Sequence, residues 1–225
     1  MAGVLTEAAG PLSFTASNIQ DFEIIEDFLA GTNTTGQIGT HGWVSSAGTL
    51  AAQASVANHI GIQRQATAAT INTFNSFFPG TGASQGVLPM GTMTLSAIVR
   101  PVQIDANTVI RIGFMNNTAS TPTAGQYIER LGTDTNWFGV TQHASTPLRT
   151  DLGIAANTTD WMNFSVERTG SSSVTFVVNG AALATHTGAT ITSTGCFGGF
   201  QVQTLENAAK SVDIDWARIW LQCAR

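Results

Sequence analysis

Apolar and polar residues alternate with a period of two along most of the chain, and a helical period is almost absent. In "TMTLSAIVRP", Met93, Leu95, Ala97 and Val99 fall on one face and Thr92, Thr94, Ser96 and Ile98 on the other. "WMNFSVER" sets Met162, Phe164 and Val166 against Asn163, Ser165 and Glu167. Comparable short runs are "FEIIEDFL" (Phe22–Leu29), "NTVIRIGFMN", "QYIERLG", "NWFGVTQ", "VTFVVNG", "ALATHTG" and "FGGFQVQTL". "TDT" separates "QYIERLG" from "NWFGVTQ" as a hairpin signal, and "GSSS" turns the chain into "VTFVVNG". Many short strands without intervening helices predict an all-β fold, an antiparallel two-sheet sandwich or jelly roll. "TLAAQASVANHI" (Thr49–Ile60) is Ala-rich, but Gly48 and Gly61 cut it short, so it reads as a loop or strand entry. The pair Gly198-Gly199 inside a strand predicts a bulge. Residues 1–20 lack alternation and read as an N-terminal arm ahead of one domain over residues 21–225.

The closing stretch "SVDIDWARIWLQCAR" raises a chemical question, because two aspartates lie beside tryptophans. Strict alternation puts Val212, Ile214, Trp216 and Trp220 on one face, and Asp213, Asp215, Ala217, Ile219 and Leu221 on the other. Phe164, Val166, Phe176, Val178, Ile214 and Trp216 are accordingly expected between the sheets. Asp213 and Asp215 are expected to keep the last strand soluble rather than to form a catalytic pair.

Composition narrows the function. Of the 225 residues 43% are hydrophobic and only 10% charged, so a substantial core is within reach and disorder is not expected. The formal net charge is −5 and Lys210 is the single lysine, which leaves no basic patch for nucleic acid. No apolar run is long enough to span a membrane. "MAGVLTEAAGPLSFTASNIQ" lacks the basic region and apolar run of a signal peptide, so synthesis in a reducing cytosol is expected, with Cys196 and Cys223 as thiols. The sequons at Asn33, Asn116, Asn157 and Asn163 carry little weight in such a compartment.

Three stretches carry a resemblance. "DWMNFSVERTGSSSVTFVVNGAALATHTG" (Asp160–Gly188) has a Trp opening a strand, alternating Phe164 and Val166, a short turn, and a strand running through Phe176 and Val178 into Asn179-Gly180. "DWARIW" (Asp215–Trp220) closes the chain, and "IRIGFMNN" precedes "GQYIERLGTDTNWFGVTQ". Together they resemble the concanavalin A-like lectin/glucanase jelly roll, a group that includes laminin-G-like domains. The resemblance implies the fold and leaves activity open, because this fold hosts enzymes, lectins and structural modules.

Each function implied by the resemblance can be tested on the residues. Retaining glucanases of this fold carry Glu-x-Asp-x-Glu or Glu-x-Asp-x-x-Glu on one strand, since nucleophile and acid/base must flank the sugar roughly 5 Å apart. No Glu-x-Asp occurs here; Asp21-Phe-Glu23-Ile-Ile-Glu26 has the types reversed and splits them across two faces. His41, His59, His143 and His186 lack metal-ligand spacing, and Gly-x-Ser-x-Gly is absent. The chain is therefore not expected to be an enzyme, with a divergent glycoside hydrolase as the alternative. Lectins of the group bind sugar through aromatic platforms and Asn/Asp side chains, which makes Trp137, Tyr127, Asn116, Asn117, His143 and Arg149 the carbohydrate-binding candidates. Asp134, Asn136 and Asp151 supply some oxygen ligands for calcium but no dense acidic loop, so neither a metal nor another cofactor is expected.

The charge-poor, Thr/Ala/Gly-rich profile with an apolar arm resembles a virion structural protein of a tailed bacteriophage: a capsid decoration, head fibre or tail-associated module made in the host cytoplasm. Its expected partners are further copies of itself, as a homo-oligomer and in the first instance a trimer, and other virion proteins such as the major capsid protein. The alternative is a carbohydrate-binding lectin or adhesin module whose partner is a surface glycan.

Overall fold

The computed structural model describes residues 21–29, 38–80, 91–118, 121–143, 146–188 and 196–222. The expected arm over residues 1–20 and the thiol of Cys223 lie outside them. The described chain forms β-strands and no helix: β1 (Asp21–Glu26), β2 (Trp43–Ser45), β3 (Thr49–Ala52), β4 (Gln63–Ala66), β5 (Phe74–Pro79), β6 (Thr92–Pro101), β7 (Thr108–Met115), β8 (Gly125–Arg130), β9 (Asn136–His143), β10 (Thr146–Ala155), β11 (Met162–Thr169), β12 (Ser173–Val178), β13 (Ala181–Thr187), β14 (Phe197–Thr204) and β15 (Ser211–Gln222). Sheet A runs β13-β12-β11-β6-β15-β4-β3, with β1 also paired to β15; sheet B runs β10-β9-β8-β7-β14-β5-β2. The ladders are antiparallel, as the turn-separated alternation predicts.

The inward residues of the two sheets interdigitate. Leu95, Ala97 and Val99 of β6, Phe164 and Val166 of β11 and Phe176 of β12 meet Ile110, Ile112 and Phe114 of β7, Ile128 of β8 and Phe200 and Val202 of β14. Trp137 packs edge-on to Phe164, with ring centroids 4.7 Å apart. Gly139 allows sheet B to approach Phe176, because a Cβ there would lie 2.5 Å from the ring. Asn179 and Gly180, both left-handed (φ 50° and 80°), make the tight β12–β13 turn that Asn-Gly favours. At one end His186 of β13 bridges the sheets, its two nitrogens each 2.9 Å from a hydroxyl of sheet B, those of Thr141 and Thr150. Burial lowers the His186 pKa, so the neutral ring is favoured.

Two expectations are corrected, strict alternation in the closing strand and a bulge at Gly198-Gly199. The closing strand does not alternate strictly: its register against β6 shifts between Ile214 and Trp216, so Asp215 is the extra residue of a β-bulge. Val212, Ile214, Ala217 and Ile219 then face the core, whereas Trp216, expected in the core, is half-buried on the outer face of sheet A. Gly198-Gly199 forms no bulge; both residues sit in register, opposite Phe114 and Gly113 of β7. Close packing explains the second glycine, since a Cβ on Gly199 would lie 2.2 Å from the Phe77 carbonyl oxygen. The Ala-rich stretch is strand β3 followed by a tight turn in which Val56 and His59 exchange backbone hydrogen bonds.

Candidate functional site

The bulge creates a depression on the outer face of sheet A. One side of β15 is bonded throughout to β6, but its other side is shared. Ser211–Ile214 pair with β4, and Ala217–Gln222 pair with β1. Asp215 and Trp216 fall in the gap between those partners. The chain leaving β1 at Asp27 and the chain approaching β4 at Asn58 and Ile60 close in around the gap, and Ile98 and Asn163 complete a cavity of about 380 Å³. Its walls combine an indole, two aliphatic side chains, two carboxamides and two carboxylates. Ile60 is 58% exposed at its rim.

Local turns hold these walls. Glu26, at the end of β1, is buried, and its carboxylate accepts from the Phe28 and His41 amides at 3.1 and 3.0 Å. That carboxylate occupies the space a Cβ on Gly39 would need, 2.3 Å away, and Gly39 is left-handed at φ 75°. A second left-handed glycine, Gly61, lets the β4 approach pass against β1, since a Cβ there would lie 2.0 Å from the Asp27 carbonyl oxygen.

Ionic contacts run across the same face. Asp213 is fully buried and takes Arg64 at 2.7 and 2.9 Å and Arg100 at 2.8 Å. The Asp213 carboxylate, by hydrogen bond and charge, raises the Arg64 pKa. Arg100 lies over the Trp161 ring at 4.8 Å, and His59 stacks on Trp161 with centroids 4.4 Å apart. His59 Nδ1 is 2.9 Å from Asp215 Oδ2, which ties the β3–β4 connection to the bulge. The two aspartates of the closing segment thus have separate basic partners: Asp213 is occupied by two guanidiniums, and Asp215 is turned toward the cavity.

The outer face of sheet B is built differently. Arg111, Tyr127, Glu129 and Gln201 alternate with core residues on β7, β8 and β14, yet all are buried. Arg111 donates to Glu129 at 3.1 Å and to Gln201 at 2.9 Å. Arg149 donates to the other Glu129 oxygen at 3.0 Å, pairs with Asp134, and covers Phe138 at 3.5 Å. Tyr127 donates to Gln142 at 3.0 Å, and burial together with the Glu129 charge raises its phenol pKa. Met115, Val140, Phe78 and Phe197 form an apolar cluster with Tyr127. Nearby, burial pushes the Cys196 thiol up to about 12, which removes nucleophilic character at neutral pH.

The carbohydrate-binding candidates read from the sequence do not converge. Trp137 is fully buried in the core and has no face to offer a ligand. Tyr127 and Arg149 belong to the buried network of sheet B. Asn116 caps a turn, its side-chain oxygen accepting from the Thr123 and Ala124 amides at 3.0 Å. The Asn117 carbonyl accepts from Gln201 at 3.1 Å, and His143 is exposed at the end of β9. Asn136 donates to both oxygens of Asp151 at 3.0 Å while Asp134 takes Arg149, so each of the three is engaged within the protein. The residues that do converge, Asp27, Asn58, Ile60, Ile98, Asn163, Asp215 and Trp216, come from five separate stretches, and no spacing announces them.

The sandwich is the concanavalin A-like jelly roll of lectins and glucanases. Within that class the chain belongs to the family described as SO2946-like, C-terminal domain, whose model matches residues 58–215. The fold is similar to that of the protein of unknown function SO2946 from Shewanella oneidensis MR-1, with a TM-score of 0.69, 18% identity and 99% of each chain covered. It is similar to the carbohydrate recognition domain of Emp47p, with a TM-score of 0.55, 13% identity, and 88% of this chain and 96% of that one covered. It is also similar to a carbohydrate esterase of the Shiga toxin-encoding bacteriophage phi24B, with a TM-score of 0.53, 15% identity, and 88% and 97% covered. No curated protein matches the chain in sequence.

Proposed function

We propose that the protein is a non-enzymatic, lectin-like jelly roll that binds a saccharide in the sheet A cavity. The observation that carries this reading is the composition of the cavity wall: Trp216 and Ile98 offer an apolar surface to the C–H face of a sugar ring, and Asp27, Asp215, Asn58 and Asn163 offer acceptors and donors to its hydroxyls. A binding role is favoured over hydrolysis because Asp213 is consumed by Arg64 and Arg100, and of the two carboxylates at the cavity Asp215 is held by His59 while Asp27 lies exposed to water. The carbohydrate recognition domain among its structural neighbours supports the same reading. A glycan array on the intact protein tests it, with Trp216→Ala as the control. Array binding that survives Trp216→Ala, or hydrolysis of laminarin, agarose or carrageenan lost with Asp213→Asn plus Asp215→Asn, would overturn it.

A second reading concerns setting. The 10% charged composition suits extensive subunit contacts, whose centres are depleted of charge, and one protein of this fold comes from a bacteriophage. We place the protein on that basis in a tailed-phage virion, as a homo-oligomer bound to other virion proteins. Co-purification with an assembled particle supports this setting, and its absence from purified particles removes it.

A further inference from the structure

We infer that the sheet A cavity selects an amino sugar, a pyranose carrying a free ammonium group, over its N-acetylated and its anionic counterparts. The inference rests on the saccharide-binding reading above and adds the charge of the ligand. Charge around the cavity is lopsided. Every basic side chain described on this face already has a carboxylate: Arg64 and Arg100 share Asp213, Arg218 holds Glu23 at 2.5 Å, and His59 holds Asp215. Asp27 is exposed and has no basic partner among the described residues; its Oδ1 accepts only from the Leu29 amide, at 3.2 Å. Asp215 also lines the cavity, with His59 bonded to its Oδ2. The carboxamides of Asn58 and Asn163 are neutral, so among the described residues the cavity is lined by two carboxylates and by no arginine or lysine.

Two physical effects then favour an ammonium. A carboxylate accepts a charge-assisted hydrogen bond from it, shorter and roughly twice as strong as one from a hydroxyl. The half-buried Trp216 indole adds attraction for a cation held near its face. A uronic or sialic acid would bring a like charge toward Asp27 and Asp215, with no arginine free to receive it. An N-acetyl group keeps the ring but removes the charge, and so loses the contribution that the two carboxylates make.

The experiment is isothermal titration of the full chain, in mildly acidic buffer where glucosamine units are charged, with three oligosaccharides of equal length: a glucosamine hexamer, an N-acetylglucosamine hexamer and a galacturonate hexamer. The expected result is at least about tenfold tighter binding of the amino hexamer than of the acetylated one, with no binding of the galacturonate. Asp215→Asn should bring the amino-to-acetyl ratio close to one. Asp27→Asn, at an exposed position, should lower the same ratio without disturbing the fold. Glu167→Gln, an exposed carboxylate elsewhere on sheet A, should leave it unchanged. Equal or tighter binding of the acetylated hexamer overturns the inference while leaving saccharide binding intact. An equal fall of the ratio in Glu167→Gln also overturns it, as unspecific attraction to a chain of formal charge −5. Failure of these hexamers and of every glycan on the array would instead sink the underlying reading.

Discussion

On sheet B, Arg111 and Glu129 lie on the outer side of their strands and their side chains are nevertheless 3% and 7% exposed, whereas on sheet A the Arg64 and Arg100 side chains are 34% and 27% exposed around Asp213. Both faces seat a buried carboxylate between two guanidiniums, Glu129 on sheet B and Asp213 on sheet A, but only on sheet B is one of those guanidiniums, Arg111, itself buried, while Arg149 keeps 24% of its side chain exposed. On sheet B each carboxylate oxygen of Glu129 has its own guanidinium, and Gln201 passes the chain of hydrogen bonds on to Ser76 and the Asn117 carbonyl. Such a network holds the face in one arrangement and is costly to interrupt. On sheet A both guanidiniums stay partly exposed, and Asp27, without a basic partner among the described residues, borders an open cavity beside Asp215. Polar groups can fix a fold on one side of a sandwich while staying available to a ligand on the other, and burial separates the two uses.

That contrast can be broken most directly in the buried network. Arg111→Ala should destabilise the fold by about 3–5 kcal/mol, because it strands part of the Glu129 charge and the Gln201 amide in a dry site. Urea unfolding measures it, and a loss under about 1 kcal/mol would mean that the sheet B network is hydrated like its counterpart. Trp216→Ala probes the other face. It should cost about 2 kcal/mol or more of saccharide binding and less than about 1 kcal/mol of stability. An outcome with those two effects exchanged would make Trp216 a core residue after all. Asp213→Asn should fall between them, at roughly 1–3 kcal/mol of stability, since the carboxylate is buried but both arginines can turn to water.

The smallest effect concerns His186, which joins the sheets. Burial lowers its pKa in the fold, so the unfolded chain binds the proton more readily. Its contribution to stability is present above the unfolded histidine value of about 6.5 and declines as the pH falls below it. Urea midpoints measured at pH values of about 7.5 and 5 should differ more for the native chain than for His186→Gln. Identical pH dependence in the two proteins would rule out His186 as its source.

The alternation of "TMTLSAIVRP" and "WMNFSVER" made β6 and β11 legible, because one face of each strand meets the core and the other does not. "IRIGFM" of β7 was harder to read, since every residue of β7 is buried and the pattern carries no contrast. Trp137 shows why a binding residue is hard to choose by type alone: Trp137 and Phe138 are neighbours, and only the fold decides that Trp137 points inward while Phe138 meets Arg149. The cavity was out of reach because Asp27, Asn58 and Asp215 meet only through the register of three strands.

The extra residue at Asp215 divides β15 into two segments of opposite phase, as an inserted base divides a message into two reading frames. Upstream, even-numbered residues face inward; downstream, odd-numbered ones do. Deletion at this position should therefore differ from deletion elsewhere in the strand. Replacing Asp215 by Ser or Asn leaves the phase intact, and the strand should fold. Removing Asp215 would join Ile214 directly to Trp216 in a regular ladder, with Trp216 still outward and Ala217 and Ile219 still inward, and would take away only the bulge and its carboxylate. A library of single substitutions and single deletions across residues 211–222, sorted for folded protein, should show position 215 tolerant both of most side chains and of loss, and Ile214 intolerant of loss, because its deletion would carry an aspartate into the core.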